Sequence, residues 1–253
     1  MRHAVIVLAV ASCLSVFGHG QTADELVNKN IQAKGGIDKI KAIKSIRLTG
    51  KLDGGSGFTA ATLQENQRPN LLRETFSLQG MTAVQAYDGS TGWQIQPFGG
   101  HKDPELMGED DLRDLLLDAD FDGPLVDYKE KGNTVEYLGH DTVDGDDALR
   151  LKVTLKNGDI IYYYLDPDTY LEIRKEVQQF IRGSIRDRVF ELGSYKPVGG
   201  VMYPFSISQG TKAHPNAQTT TVEKMEVNVA VDSAAFALPA ALKQAPKASA
   251  EKK

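Results

Sequence analysis

Leu149-Arg150-Leu151-Lys152-Val153-Thr154-Leu155 is the stretch whose reading decides the fold. Side chains on a strand alternate between two faces, so this segment offers one apolar row and one polar row. The same alternation runs through Ile46-Arg47-Leu48-Thr49 and Val201-Met202-Tyr203-Pro204-Phe205-Ser206-Ile207. An antiparallel sheet with one apolar face must bury that face on another layer, on itself or on a ligand.

Outward from these segments the chain reads as mainly β. Strands are expected at 45–53, 57–67, 71–79, 82–88, 92–98, 133–139, 147–156, 159–166, 170–179, 184–194, 201–209 and 218–229. Asp88-Gly89-Ser90-Thr91-Gly92 and Asn157-Gly158 supply hairpin turns. Two segments read as helical. Ala23 to Lys34 has Asp24 at its start, Leu26, Val27 and Ile31 on one face, and Gly35-Gly36 as its stop, with a further turn over Ile37 to Ile43. Pro104 to Asp120 places Leu106, Leu112, Leu115 and Leu116 behind acids in the first turns, before the breaker Asp122-Gly123-Pro124. Roughly a dozen one-sided strands against two helical covers would curl rather than lie flat. Periodicity alone admits a curved sheet with helices over a cavity, or a filled sandwich without one.

The first twenty residues read as a secretory leader: basic Met1-Arg2-His3, apolar Ala4 to Phe17, and small residues to Gly20, near which cleavage is expected. The apolar run is shorter than the ~20 residues of a membrane span. Val10-Ala11-Ser12-Cys13 also resembles a lipobox, which would make Cys13 a lipid anchor; cleavage near Gly20 would leave no cysteine. The whole chain carries 29 Lys and Arg against 34 Asp and Glu, and loss of Arg2 makes the net charge of −5 one unit more negative. That balance argues against nucleic acid or an anionic membrane as a constant partner. Residues 21–239 read as one domain, and 240–253, rich in Ala, Lys and Pro, as a flexible polar tail.

No pattern of covalent chemistry stands out, and no cofactor is expected. His101, His140 and His214 sit in apparent loops without metal-ligand spacing. There is no Gly-x-Ser-x-Gly elbow and no phosphate loop. Glu109-Asp110-Asp111 suits a helix start and Asp144-Gly145-Asp146-Asp147 a turn without the terminal Glu of a calcium loop. In Tyr162-Tyr163-Tyr164 the outer pair share one face and Tyr163 takes the other.

Three patches carry a resemblance. Arg68-Pro69-Asn70-Leu71-Leu72-Arg73, then Tyr87-Asp88-Gly89-Ser90-Thr91-Gly92-Trp93, then Asn228 to Pro239 with its Phe236-Ala237-Leu238-Pro239 close, resemble in order and spacing the periplasmic lipoprotein carriers of the LolA/LolB type. The resemblance implies a curved, unclosed antiparallel β-barrel whose concave apolar face lies under a helical lid. It implies a non-enzymatic, monomeric carrier of lipoprotein acyl chains or other lipids in the Gram-negative periplasm, served by an inner-membrane release complex and an outer-membrane acceptor. Arg68 falls on the arginine that holds the lid through helix carbonyls, and Leu72 on a cavity position. Phe76, Trp93, Ile46 and Leu48, with Leu115 and Leu116 of the second helix, are the further lining expected. A Cys13-anchored outer-membrane acceptor of the same fold, or a β domain that binds protein without a cavity, would be the alternatives. The chain departs from the family in its Gly35-Gly36 and Ile37 to Ile43 insertion, its acidic second helix, and the lack of an evident strand after Pro239.

Overall fold

The computed structural model describes residues 21–55 and 57–243. The expected leader, Cys13 and the end of the tail lie outside the described residues.

Thr22 opens helix α1 (Ala23–Ala33) with a capping box: the Glu25 backbone N–H donates to Thr22 Oγ1 at 3.2 Å, and the Thr22 N–H donates to Glu25 Oε2 at 2.9 Å. A glycine pair leads into α2 (Ile37–Ala42). Gly35 has φ of 122°, and a Cβ there would stand 2.3 Å from the Gly200 carbonyl oxygen, so the turn can touch the loop beneath it only as glycine. Six strands follow in a meander: β1 (Ser45–Asp53), β2 (Thr59–Gln67), β3 (Leu71–Leu78), β4 (Met81–Tyr87), β5 (Gly92–Gln96) and β6 (His101–Leu106). Helix α3 (Glu109–Ala119) crosses to a second meander of β7 (Thr134–Val143), β8 (Asp146–Thr154), β9 (Ile160–Leu165), β10 (Glu172–Ile181) and β11 (Ser184–Gly193). A small hairpin of β12 (Lys196–Val198) and β13 (Val201–Tyr203) precedes β14 (Ser206–Thr211), the long β15 (His214–Val227) and a terminal turn α4 (Ala240–Lys243).

Thirteen strands form one antiparallel sheet in the order β6-β5-β4-β3-β2-β1-β15-β14-β11-β10-β9-β8-β7. Its edges, β6 and β7, do not pair, so the barrel is unclosed. Its curvature follows from α3. Leu115 packs with Leu72 and Tyr87 on β3 and β4, while the adjacent Asp114 accepts from Arg188 on β11 at 2.7 Å. From β3 to β11 is five strand spacings, roughly 24 Å if flat, whereas a helix with its side chains is only ~10–12 Å across. The sheet therefore wraps around α3.

Both helical covers lie on this concave side. Leu26, Val27 and Ile31 of α1 and Ile40 of α2 join Leu149, Leu151, Val153, Ile161, Tyr163, Leu165 and Val177 in one buried cluster over β8 to β10. The alternating Leu149–Leu155 stretch thus becomes the floor of the main core, and Tyr163 points into it. Tyr162 and Tyr164 face outward, where Arg150 stacks on both rings at 4.5 and 5.4 Å.

Three expectations change. The helix expected over 104–120 begins only at Glu109, and Asp103 to Leu106 belong to β6. Pro104, read as a helix-start residue, is tolerated because β6 is an edge strand and needs no donor on its free side. The strand expected over 201–209 is split, since Pro204 cannot donate to a ladder and buried Phe205 turns the chain from β13 to β14. Residues 240–243, read as the start of the tail, form a helical turn, and Leu242 packs against the sheet.

Candidate functional site

Two features of the concave side could act on a ligand: the clasp that holds its cover, and the uncovered part of its floor.

The clasp centres on Arg68, just beyond β2. Its Nε donates to the Ile43 carbonyl at 2.7 Å and its Nη2 to the Ile40 carbonyl at 3.0 Å. Both carbonyls lie at the C-terminal end of α2, where that of Ile40 also accepts from the Ile43 N–H at 3.2 Å and that of Ile43 lies beyond the last turn. The guanidinium also grips Asp122, with Nη1 donating to Oδ2 at 2.8 Å, and lies 4.4 Å above the centre of the Phe121 ring. Lys41, on α2 itself, donates to the same carboxylate at 2.7 Å. Burial pushes the Asp122 pKa up, but the hydrogen bonds from Arg68 and Lys41 outweigh it and hold the group below its ordinary 3.8. One arginine therefore ties α2 to the segment after α3.

The floor is fixed by register. Met225, Leu48, Gln64, Glu74, Gln85 and Gln94 stand directly opposite one another across six adjacent strands, so they form one row on one face. The neighbouring row, Val227, Ile46, Asn66, Leu72 and Tyr87, meets α3 or the main core. On the other wing, Leu151, Tyr163, Lys175 and Phe190 are opposite in turn. Between the wings, Leu192, Ile207, Thr220 and Leu52 complete the floor. These central side chains are half-buried and belong to no buried cluster.

Charge is concentrated beneath α3. Burial, with the Asp118 carboxylate as a second cause, pushes Glu74 up to about 8. Burial raises Asp118 and lowers Lys175. Lys175 and Arg188 lie 4.5 and 5.4 Å from the Phe190 ring centre. Asp118 nevertheless keeps an exposed side chain, and Glu74 and Lys175 are only half-buried. Crowding and accessibility coexist where a side chain faces a hollow enclosed by protein. Elsewhere there are two open recesses: one of about 460 Å³ lined by Ala42, Ser45, Gln67 and Asn228 to Val231, the other of about 350 Å³ between α1 and residues 125–130.

The expected lining residues separate. Leu72 and Leu115 meet under α3 and are buried, Ile46 packs on the main core, and Leu48 stays half-buried on the open floor. Phe76 shares the concave face and stacks edge-on with Phe58 and Phe98 at 6.4 and 5.4 Å. Leu116 is 40% exposed and stands off the core. Trp93 corrects the reading most. It lies opposite Ala86, on the convex face, packed under Leu238 and Leu242, and its Nε1 donates to the Phe236 carbonyl at 3.0 Å. Two of the three patches that carried the resemblance thus meet outside the cavity. His101 pairs with Glu105 and His140 with Asp147 at the surface. Glu74, Lys175 and Arg188 were missed, although Glu74 falls in phase with Leu72 and Phe76 and could have been found there.

An unclosed half-barrel with helices across its hollow defines a class of protein known from other chains. A DUF1329 family protein from Desulfovibrio piger superposes with a TM-score of 0.56 at 12% identity, over 85% of this chain and 97% of that one. A putative outer membrane lipoprotein-sorting protein domain from Vibrio parahaemolyticus gives 0.54 at 12%, over 83% and 97%. A LolA superfamily protein from Nitrosomonas europaea gives 0.55 at 10%, over 87% and 99%. No family model and no curated protein matches the sequence. The structural likeness establishes a LolA-like fold, as the resemblance implied.

Proposed function

We propose that the protein is a periplasmic carrier that takes up the acyl chains of lipoproteins or other lipids in its concave face and moves them toward the outer membrane. The carrying observation is the clasp: Arg68 bonds the terminal carbonyls of α2 beside a floor that the helices leave partly open. The LolA-like fold supports the reading, as does the leader pattern of Met1 to Gly20 for its location. Leu48, Leu52, Leu192, Ile207 and Met225 offer the apolar surface. At about 0.8 kcal/mol per buried methylene, a few chains supply useful affinity without a covalent step. Release of α2 from Arg68 would widen the hollow, and chain contacts would offset the lost hydrogen bonds.

The test is mass spectrometry of protein purified from a Gram-negative periplasm, followed by binding of acyl lipid to the delipidated protein. Near-stoichiometric acyl lipid is expected. Protein that is isolated empty and takes up none would end the carrier reading.

A further inference from the structure

The hollow under α3 is more polar than a store for hydrocarbon needs to be. Among the described residues, Glu74, Asp118 and Lys175 make no side-chain ion pair or hydrogen bond with another residue. Arg188 is bound to Asp114 at 2.7 Å through Nη2, but its buried Nε has no acceptor. Thr62 Oγ1 is also buried without a partner, two residues from Gln64 on the same strand face. Buried polar groups are normally satisfied, so the unpartnered Arg188 Nε and Thr62 Oγ1, on the same concave face as three ionisable side chains that no protein group binds, point to a ligand. They are of both signs, acidic on the β3 and α3 side and basic on β10 and β11.

We propose that this hollow holds the headgroup of a zwitterionic phospholipid-like amphiphile, its primary ammonium between Glu74 and Asp118 and its phosphate on Lys175 and Arg188. This rests on the carrier reading and names the class of cargo. The ammonium supplies up to three donors to two carboxylates that otherwise repel each other, and the phosphate gives acceptors to Lys175 and to Arg188 Nε. The chains then run from this polar end onto Leu48, Met225 and Ile207. A purely anionic headgroup would satisfy only the basic side and leave the acids facing a like charge. A neutral glyceride would leave both sides unmet.

Calorimetry on the delipidated full chain, with dihexanoyl phosphatidylethanolamine, dihexanoyl phosphatidylglycerol and dihexanoylglycerol below their micelle concentrations, tests this. The ethanolamine lipid should bind at least tenfold more tightly than the other two. The double variant Glu74→Gln with Asp118→Asn should remove that preference while remaining folded. Lys175→Met should weaken both phospholipids and leave the glyceride unchanged. Equal affinity for all three lipids overturns the headgroup assignment and leaves the carrier reading standing, as does a preference that survives the double variant. If none of the three binds while longer acyl lipid co-purifies, the headgroup assignment alone falls.

Discussion

The two wings of the concave face differ in what covers them. Over β8 to β10, α1 and α2 meet a dry floor in which Leu151, Val153 and Leu165 are 0% exposed. Under α3, the ionisable Glu74 and Lys175 are only half-buried on the concave face, and Arg188 is held by Asp114. The first wing does what a core does: each buried Leu or Val contributes about 1.5–3 kcal/mol. The second gives up some of that gain, because unpaired buried charge is unfavourable. The fold is thus held at one side, and the other keeps accessible polar groups.

Four substitutions probe that contrast. Leu151→Ala should do the most damage, about 3–4 kcal/mol by denaturant unfolding, since it empties space in the dry wing. Loss of under 1 kcal/mol would mean that this wing is not the core. Arg68→Leu should cost about 2–3 kcal/mol, because Asp122 is 6% exposed and keeps only Lys41. Hydrogen exchange should quicken in α2 before the rest of the main cluster, if Arg68 acts as a clasp. The stability that Asp122 draws from these partners is present above its ordinary 3.8 and is lost as pH falls through its lower folded value, so the gap to wild type should narrow in acid.

Glu74→Gln should act in the opposite sense. Between the ordinary 4.5 and about 8 the unfolded chain has released a proton that the folded chain retains, so wild-type stability falls as pH rises through that window. Beside Glu74 stand Asp118 from α3 and Gln64 and Gln85 on the adjacent strands, and Asp118 in turn feels Lys175, Arg188 and Asp114. The variant should gain about 1–2 kcal/mol over wild type at pH 9, discounted for the water contact Glu74 keeps, and almost nothing at pH 4. A gain independent of pH would mean that Glu74 titrates as an ordinary surface acid. Leu48→Ala should have the smallest effect on stability, under about 1 kcal/mol, because its side chain is only half-buried. Its effect on lipid affinity should be the larger of the two.

Much of this was legible in the sequence. Strands with a strict period of two were found to within a few residues, and the 68–73 patch led to the arginine that bonds α2. The misreadings have physical causes. An edge strand hides behind Pro104, because proline rules out only strands that need both ladders. Trp93 and Leu72 lie on adjoining segments of a meander, and which face each takes is set by pairing across β4, which sequence spacing does not reveal. The bulge between Glu172 and Arg174 shifts the phase of β10, so Lys175 enters the concave face unannounced. Thr22 and Glu25 formed a readable capping box that went unused.

The unpaired edges give the molecule a mechanical property. Because β6 and β7 are not laced together, the circumference of the hollow is not fixed by a closed ring of hydrogen bonds. A change of about 3° at each strand pairing is small beside the ordinary spread of roughly 10–35° between neighbours. Summed along thirteen strands, it opens the sheet like a leaf spring with every ladder intact. The width of the hollow is then set by elasticity and by how firmly Arg68 keeps the spring wound.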